Sequence, residues 1–370
     1  GLVGIGYFYQ DQLIERLVSS LNEYVATPVE VKSIQVSAWR DFPQLAVSFE
    51  EVFIPGAADS IRGSKSPLAD IARIDFSFNL LALLQGTYEL QQITLTNGAV
   101  TLLIDEERRA NYTIFRNQRD STQQSMSRSL AFRLEQVNLN DVQVRYLDLA
   151  RKQDILTYAH DVTASLQVDG SLYQINTEGN LESKYIGLGS DHYFANQWLG
   201  LRTELVYYGH EKRLLVEPSQ VSLNDTKIQV QGWIDHTDQT KLDLIVEATH
   251  TDFPTLLSVL PESIARPWQH YRSTGAVQLA GKVTGLAYQP AIQLDFGCQD
   301  ASFFHPDYRK KLENIYLSGS FTNGAERNTR TSDLSLTNIR AMLDGKPLSG
   351  NLRLRNFSDF YLETDFKGKF

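Results

Sequence analysis

The first apolar pattern in the chain has a helical period. Between Asp11 and Val25, the residues Leu13, Ile14, Leu17, Val18, Leu21, Tyr24 and Val25 recur at i, i+3/4 and i+7, on one face of an amphipathic helix. Asp11 can cap its N-terminus and Pro28 closes the region. Beyond it the period changes to two. Val29 and Val31 alternate with Glu30 and Lys32, and Ile34 and Val36 resume after one extra residue, which reads as a bulge. The next runs are Leu45, Val47 and Phe49, then Ile74, Phe76 and Phe78. Ile93 and Leu95, an Asn97-Gly98 pair, and Val100 and Leu102 together carry a hairpin signal. Val142 to Tyr146 continues the period, as do Ile228 and Val230, Leu242 and Leu244, Ile292, Leu294 and Phe296, and Leu352 and Leu354.

Clean alternation describes mainly antiparallel strands with one apolar and one wet face. Two further short helices are expected. One begins at Phe253-Pro254 behind a Thr251 or Asp252 cap, and a single turn spans Leu80 to Leu84. So few helices cannot cover the apolar face of so many strands. The sheet must fold on another sheet, close into a barrel, or stay open and meet something apolar.

Recurring phrases suggest a repeated strand-turn-strand unit: Leu95-Thr96-Asn97-Gly98, Leu139-Asn140-Asp141-Val142, Leu223-Asn224-Asp225-Thr226 and Leu336-Thr337-Asn338-Ile339. The polar stretch Arg116 to Ser129 reads as a linker, and a second boundary falls near Leu260 to Ser273.

Composition removes several functions. A net charge of −9 argues against a nucleic-acid partner. The basic clusters Arg108-Arg109 and Arg309-Lys310-Lys311 read as solvated turns. With one cysteine, Cys298, there is no intrachain disulfide, and a buried thiol is the expectation. The seven histidines are scattered without metal-ligand spacing, and no nucleophile elbow or phosphate-cradling loop is present. Glu50-Glu51 and Glu106-Glu107 are adjacent, and neighbours in a strand face opposite ways, so neither pair suits joint acid–base work. The aromatic stretch Tyr185 to Tyr208 reads as ordinary packing or a barrel girdle ahead of a sugar platform. The sequence suggests no enzyme, metal or cofactor. The apolar start, with Leu2, Val3, Ile5, Tyr7 and Phe8, reads as the outer end of a membrane anchor.

Residues 26–115 resemble the N-terminal region of the AsmA family of bacterial envelope proteins. The resemblance lies in Ala26-Thr27-Pro28-Val29-Glu30-Val31-Lys32-Ser33-Ile34, Trp39-Arg40-Asp41-Phe42-Pro43, Leu45 to Val52, Leu68 to Ile74, Leu80 to Gly86, Leu90 to Gly98 and Asn111-Tyr112. Arg108-Arg109-Ala110 departs from the family, which usually has Gly there. Residues 216–370 look like the later β-repeats, and 116–215 match weakly. The resemblance implies an inner-membrane anchor and an elongated, curved antiparallel sheet in the periplasm, forming an open apolar groove for lipid acyl chains. It also implies a role in phospholipid transport and outer-membrane biogenesis, and similarity to bridge-like lipid-transfer proteins. The organisation it suggests is anchor and amphipathic helix (1–25), N-terminal β region (26–115), linker (116–129), middle β region (130–260) and later β-repeats (261–370). Groove candidates are Leu45, Val47, Phe49, Ile74, Phe76, Phe78, Ile93, Leu95, Val100, Leu102, Ile228, Val230, Leu242, Leu244, Ile292, Leu294 and Phe296. The alternatives are a closed, dry sandwich that assists outer-membrane protein insertion through exposed strand edges, and a carbohydrate-binding sandwich.

Overall fold

A computed structural model describes residues 29–37, 44–57, 67–79, 89–112, 131–189, 191–237, 239–259, 262–266 and 270–368, with Ile14, Glu15, Val18, Ala82 and Gln85. The chain forms two compact units, Gly1–Gln167 with Thr177–Ser190, and Val168–Asn176 with Asp191–Phe370. Both are built mainly from strands.

Unit 1 contains β1 (Glu30–Ser37), β2 (Gln44–Ile54), β3 (Ala69–Asn79), β4 (Glu89–Ile104), β5 (Ala131–Asp148) and β6 (Gln153–Asp169); β7 (Leu172–Leu188) runs from unit 2 into unit 1. Strands β1 to β4 pair antiparallel in chain order. The expected antiparallel pattern has one exception, β4 with β5, which is parallel. A parallel pair requires a crossover connection, here residues 105–130. β5 and β6 then pair antiparallel.

Unit 2 contains β8 (Asp191–Tyr193), β9 (Gln197–Tyr208), β10 (Arg213–Leu223), β11 (Thr226–Asp235), β12 (Lys241–Thr251), α1 (Phe253–Ser258), α2 (Glu262–Ala265), β13 (Arg272–Leu286), β14 (Ala291–His305), β15 (Lys310–Thr322), β16 (Asp333–Leu343), β17 (Lys346–Arg355) and β18 (Tyr361–Gly368). From β9 to β18 every chain neighbour pairs antiparallel. Helix α1 starts where the sequence places it. Asp252 is the N-cap, its Oδ1 accepts the Thr255 N–H at 2.8 Å, and Pro254 lies in the first turn.

The Asn97-Gly98 pair is not a hairpin turn; it sits inside β4, which runs unbroken through it. Asn97 has φ 55° and Asp141, beside it on β5, has φ 54°. Of the four repeated phrases only Leu223 to Thr226 makes a turn, joining β10 to β11, while Asn338 lies within β16 at φ 55°. Asn and Asp tolerate the left-handed region better than other side chains, and a tight turn and a mid-strand inversion both use that region. The local signal therefore does not separate the two.

The inversion has a consequence for side-chain placement. Phe49 and Val52 are both buried although three residues apart, and so are Ile71 and Ile74, and Ala159 and Val162. Alternation changes phase at one row crossing the strands, next to Glu51 (φ 49°), Asn97 and Asp141. The phase change read as a bulge in β1 falls at that row too, but β1 keeps one register with β2 through Val31, Ser33 and Ile34, so no residue is inserted. Glu50 and Glu51 therefore do not face opposite ways, because the residues on either side of the pair both enter the core. Arg73 Nη1 lies 3.8 Å from Glu50, and Lys32 pairs with Glu51. Glu106 and Glu107 occupy a turn.

The core of unit 1 is continuous. Leu45, Val47, Phe49, Val52, Ile71, Phe76, Phe78 and Leu90 are all buried, and the Phe49 and Phe76 rings meet edge to face at 5.0 Å. Ile14 and Val18 are helical and pack against this cluster. Apart from Glu15, the rest of the stretch expected to form an amphipathic helix, Asp11 to Val25, lies outside the described residues. Asn111, which belongs to a glycosylation-like triplet, is buried. Its Oδ1 accepts the Leu103 N–H at 2.8 Å, and its Nδ2 donates to the Thr101 carbonyl at 2.8 Å.

Candidate functional site

The groove candidates separate into two environments. In unit 1, Leu45, Val47, Phe49, Ile74, Phe76 and Phe78 are buried members of the core. Ile93, Leu95 and Val100 are partly buried against it, and Leu102 packs on Leu68. In unit 2, Ile228, Val230, Leu242, Leu244, Ile292, Leu294 and Phe296 are half-buried.

Register places the unit 2 residues on one face in cross-strand rows. Val230 faces Val246, then Gly281, Leu294, Phe321, Leu334, Leu354 and Leu362 on successive strands. The next row runs Ile228, Ala248, Leu279, Phe296, Gly319, Leu336 and Leu352. At 4.7–4.9 Å per strand, an eight-strand row extends about 34 Å. Residues between these positions are mostly exposed, as in β13, where half-buried and exposed positions alternate from Ser273 to Val283. No aromatic side chain of unit 2 is buried among the described residues. Glycines make room for rings to lie flat: a Cβ on Gly319 would stand 2.3 Å from the Phe296 ring.

The sequence reading missed Phe321, Leu334 and Leu336 on this face. The detectable signal was the run Leu317-Ser318-Gly319-Ser320-Phe321, where Gly319 interrupts the apolar period without leaving the strand.

The two ends of the unit 2 face differ. At one end Phe253 of α1 meets Phe303 at 6.2 Å, Tyr271 stacks on Phe303 at 5.0 Å, and the Tyr271 hydroxyl lies 3.2 Å from His305 Nε2. Tyr308 packs on His305 at 4.6 Å. Beside them Ala301, Ile315 and Ala341 are buried where Asp300 and Asn314 take positive φ. At the other end Phe321, Phe357 and Phe360 cluster, and Asn323 is satisfied by the Ile292 N–H and the Pro290 carbonyl.

Apart from Tyr271, His305 and Tyr308 at the α1 end, and Cys298 opposite Val277, the titratable groups described next serve the fold. Burial raises the Cys298 thiol, which is half-buried and 3.9 Å from the Ile315 carbonyl. Burial and a hydrogen bond donated to Asp154 raise Tyr185. Burial pushes Asp105 up, but hydrogen bonds from the Arg109 N–H and guanidinium outweigh it and hold the carboxyl below its ordinary value. Hydrogen bonds from Thr237 hold Asp235 at about 2. Arg108 and Arg309 occupy turns with positive φ, Lys310 pairs with Asp344, and Lys311 with Glu313. Trp198 is exposed, and Tyr207 packs on Tyr173 at 6.0 Å.

Among the described residues there is no cluster of three or more metal-ligating side chains, and no helix is long and apolar enough to cross a membrane. The anchor residues Leu2, Val3, Ile5, Tyr7 and Phe8 and the linker at 116–129 lie outside the described residues. No protein-family model, curated protein or solved structure matches the chain.

Proposed function

We propose that the chain is a non-enzymatic, AsmA-like protein of the bacterial cell envelope that holds lipid acyl chains on the apolar face of unit 2. In this reading a segment at its N-terminus anchors it in the inner membrane, its bulk lies in the periplasm, and it serves phospholipid transport and outer-membrane biogenesis. The observation that carries the proposal is the half-buried state of Val230, Leu244, Leu294, Phe296, Phe321 and Leu334 on one continuous face. A contiguous apolar face left partly open to water is the kind of surface that marks an interaction site. Each methylene moved from water onto it gains about 0.8 kcal/mol, so ten methylenes of one chain supply about 8 kcal/mol with no specific polar contact. Neighbouring rows are chemically alike, so a chain can exchange between them at little net change in free energy.

The deciding experiment is native mass spectrometry of the full chain purified from membranes in mild detergent. Co-purified phospholipid is expected, together with its loss from a folded Leu294→Glu/Phe296→Glu variant. A lipid-free wild-type protein, or a variant that keeps its lipid, would overturn the proposal.

A further inference from the structure

The polar groups at the α1 end of the unit 2 face are arranged unlike those elsewhere on it. Ser273 pairs in register with Phe303, and His305 follows two residues on, so both side chains belong to the apolar face. Ser273 Oγ and His305 Nδ1 are buried and have no hydrogen-bond partner among the described residues. A buried polar atom without a partner is costly, and each such atom requires an explanation. The opposite end shows the contrast, since Asn323 there has both its acceptor and its donor used.

We propose that Ser273, His305 and Tyr271 form the seat for the phosphate of a diacyl phospholipid, whose chains lie over the apolar rows beyond Phe303. The inference rests on the acyl-chain reading above and assigns its polarity. When the Tyr271 hydroxyl donates to His305 Nε2, the neutral ring carries its proton on Nδ1. Nδ1–H and the Ser273 hydroxyl are then two donors on the same face of neighbouring strands, diagonal to each other in register, and a phosphodiester offers oxygens to accept both. The nearby cation Lys310, opposite His305 in register, pairs with Asp344 at the surface, and the donors assigned to the seat are the Ser273 hydroxyl and the His305 ring. Helix α1 has no buried residue, so the cover over this end is lightly held.

The test compares a dioleoyl phospholipid with dioleoylglycerol, which has the same chains and no phosphate, by titration of the full chain. The wild type should bind the phospholipid about tenfold more tightly. Ser273→Ala/His305→Phe should bring the two affinities together while leaving dioleoylglycerol binding and the melting temperature unchanged. Ser273→Ala alone, which removes an unpartnered hydroxyl, keeps the test readable if the double variant folds poorly. Equal wild-type affinities, or a preference that survives the substitutions, would overturn the headgroup seat and leave the acyl face standing. Displacement of bound lipid by millimolar inorganic phosphate would assign the cluster to free phosphate and also overturn it. If the wild type binds neither lipid, the acyl-chain reading itself fails.

Discussion

Phe76 and Phe296 stand in strands of the same apolar-polar period, yet their surroundings differ. Phe76 is 7% exposed and meets Phe49 edge to face. Phe296 is half-buried and lies against Gly319 of the neighbouring strand. The difference is one of cover and not of pattern. In unit 1 the buried side chains of β2, β3 and β4 pack with Ile14 and Val18 into one cluster. In unit 2 the described helices, α1 and α2, have six and four residues and stand beside one end of the face. Alternation in a sequence therefore identifies an apolar face without saying what closes it.

The largest effect that can break this comparison is a charge placed on each face. Phe76→Glu buries an unpaired carboxylate and is expected to cost more than about 4 kcal/mol, seen as loss of the folded baseline in urea denaturation. Phe296→Glu leaves its carboxylate in reach of water and should cost under about 1.5 kcal/mol. Equal losses would show that the unit 2 face is a closed core. A smaller effect comes from the inversion row. A Cβ on Gly98 would stand 2.2 Å from the Asp70 carbonyl, and Gly98 has φ 155°, so Gly98→Ala should cost about 2–3 kcal/mol. Asn338→Ala in unit 2 strains only one left-handed residue and should cost about 1 kcal/mol by the same denaturation. The smallest effect is on acid stability. Asp105 in unit 1 and Asp235 in unit 2 both have carboxyls held below their unfolded values, Asp235 at about 2. Their stabilisation is fully present above pH 4 and is lost as pH falls through the folded values. Carbon-detected titration should show Asp235 still ionised at pH 3, and Asp235→Asn should remove its share of the acid sensitivity, its stability deficit relative to wild type shrinking as pH falls through about 2.

The strands were legible because period two over many residues has few other causes. The phase change in β1 was legible too, since Val31 and Ile34 are out of phase by one residue, but it is not the bulge the spacing suggests, because the register with β2 runs through it unshifted. The inversion row was not. Asn97-Gly98 and Leu223 to Thr226 carry similar chemistry, and only pairing partners far along the chain decide which continues straight and which turns. The parallel β4–β5 pair was hidden for the same reason, because alternation says nothing about strand direction. The phosphate seat escaped the sequence reading because Ser273, Tyr271 and His305 meet only through the register of β13 with β14.

The inversion row also bears on how such a sheet finds its alignment. Long strands with one repeating pattern can slide by two residues and still place apolar side chains on the apolar face. Residues 51, 97 and 141 remove that freedom, because Asn97 and Asp141 must lie side by side on β4 and β5, and Glu51 must fall on the same row two strands away. Any slip, by one residue or two, sets a phase change against an uninterrupted neighbour and turns half of one strand's apolar side chains toward water. The row works like a notch cut at matching heights in adjacent slats, so that only one way of assembling them closes.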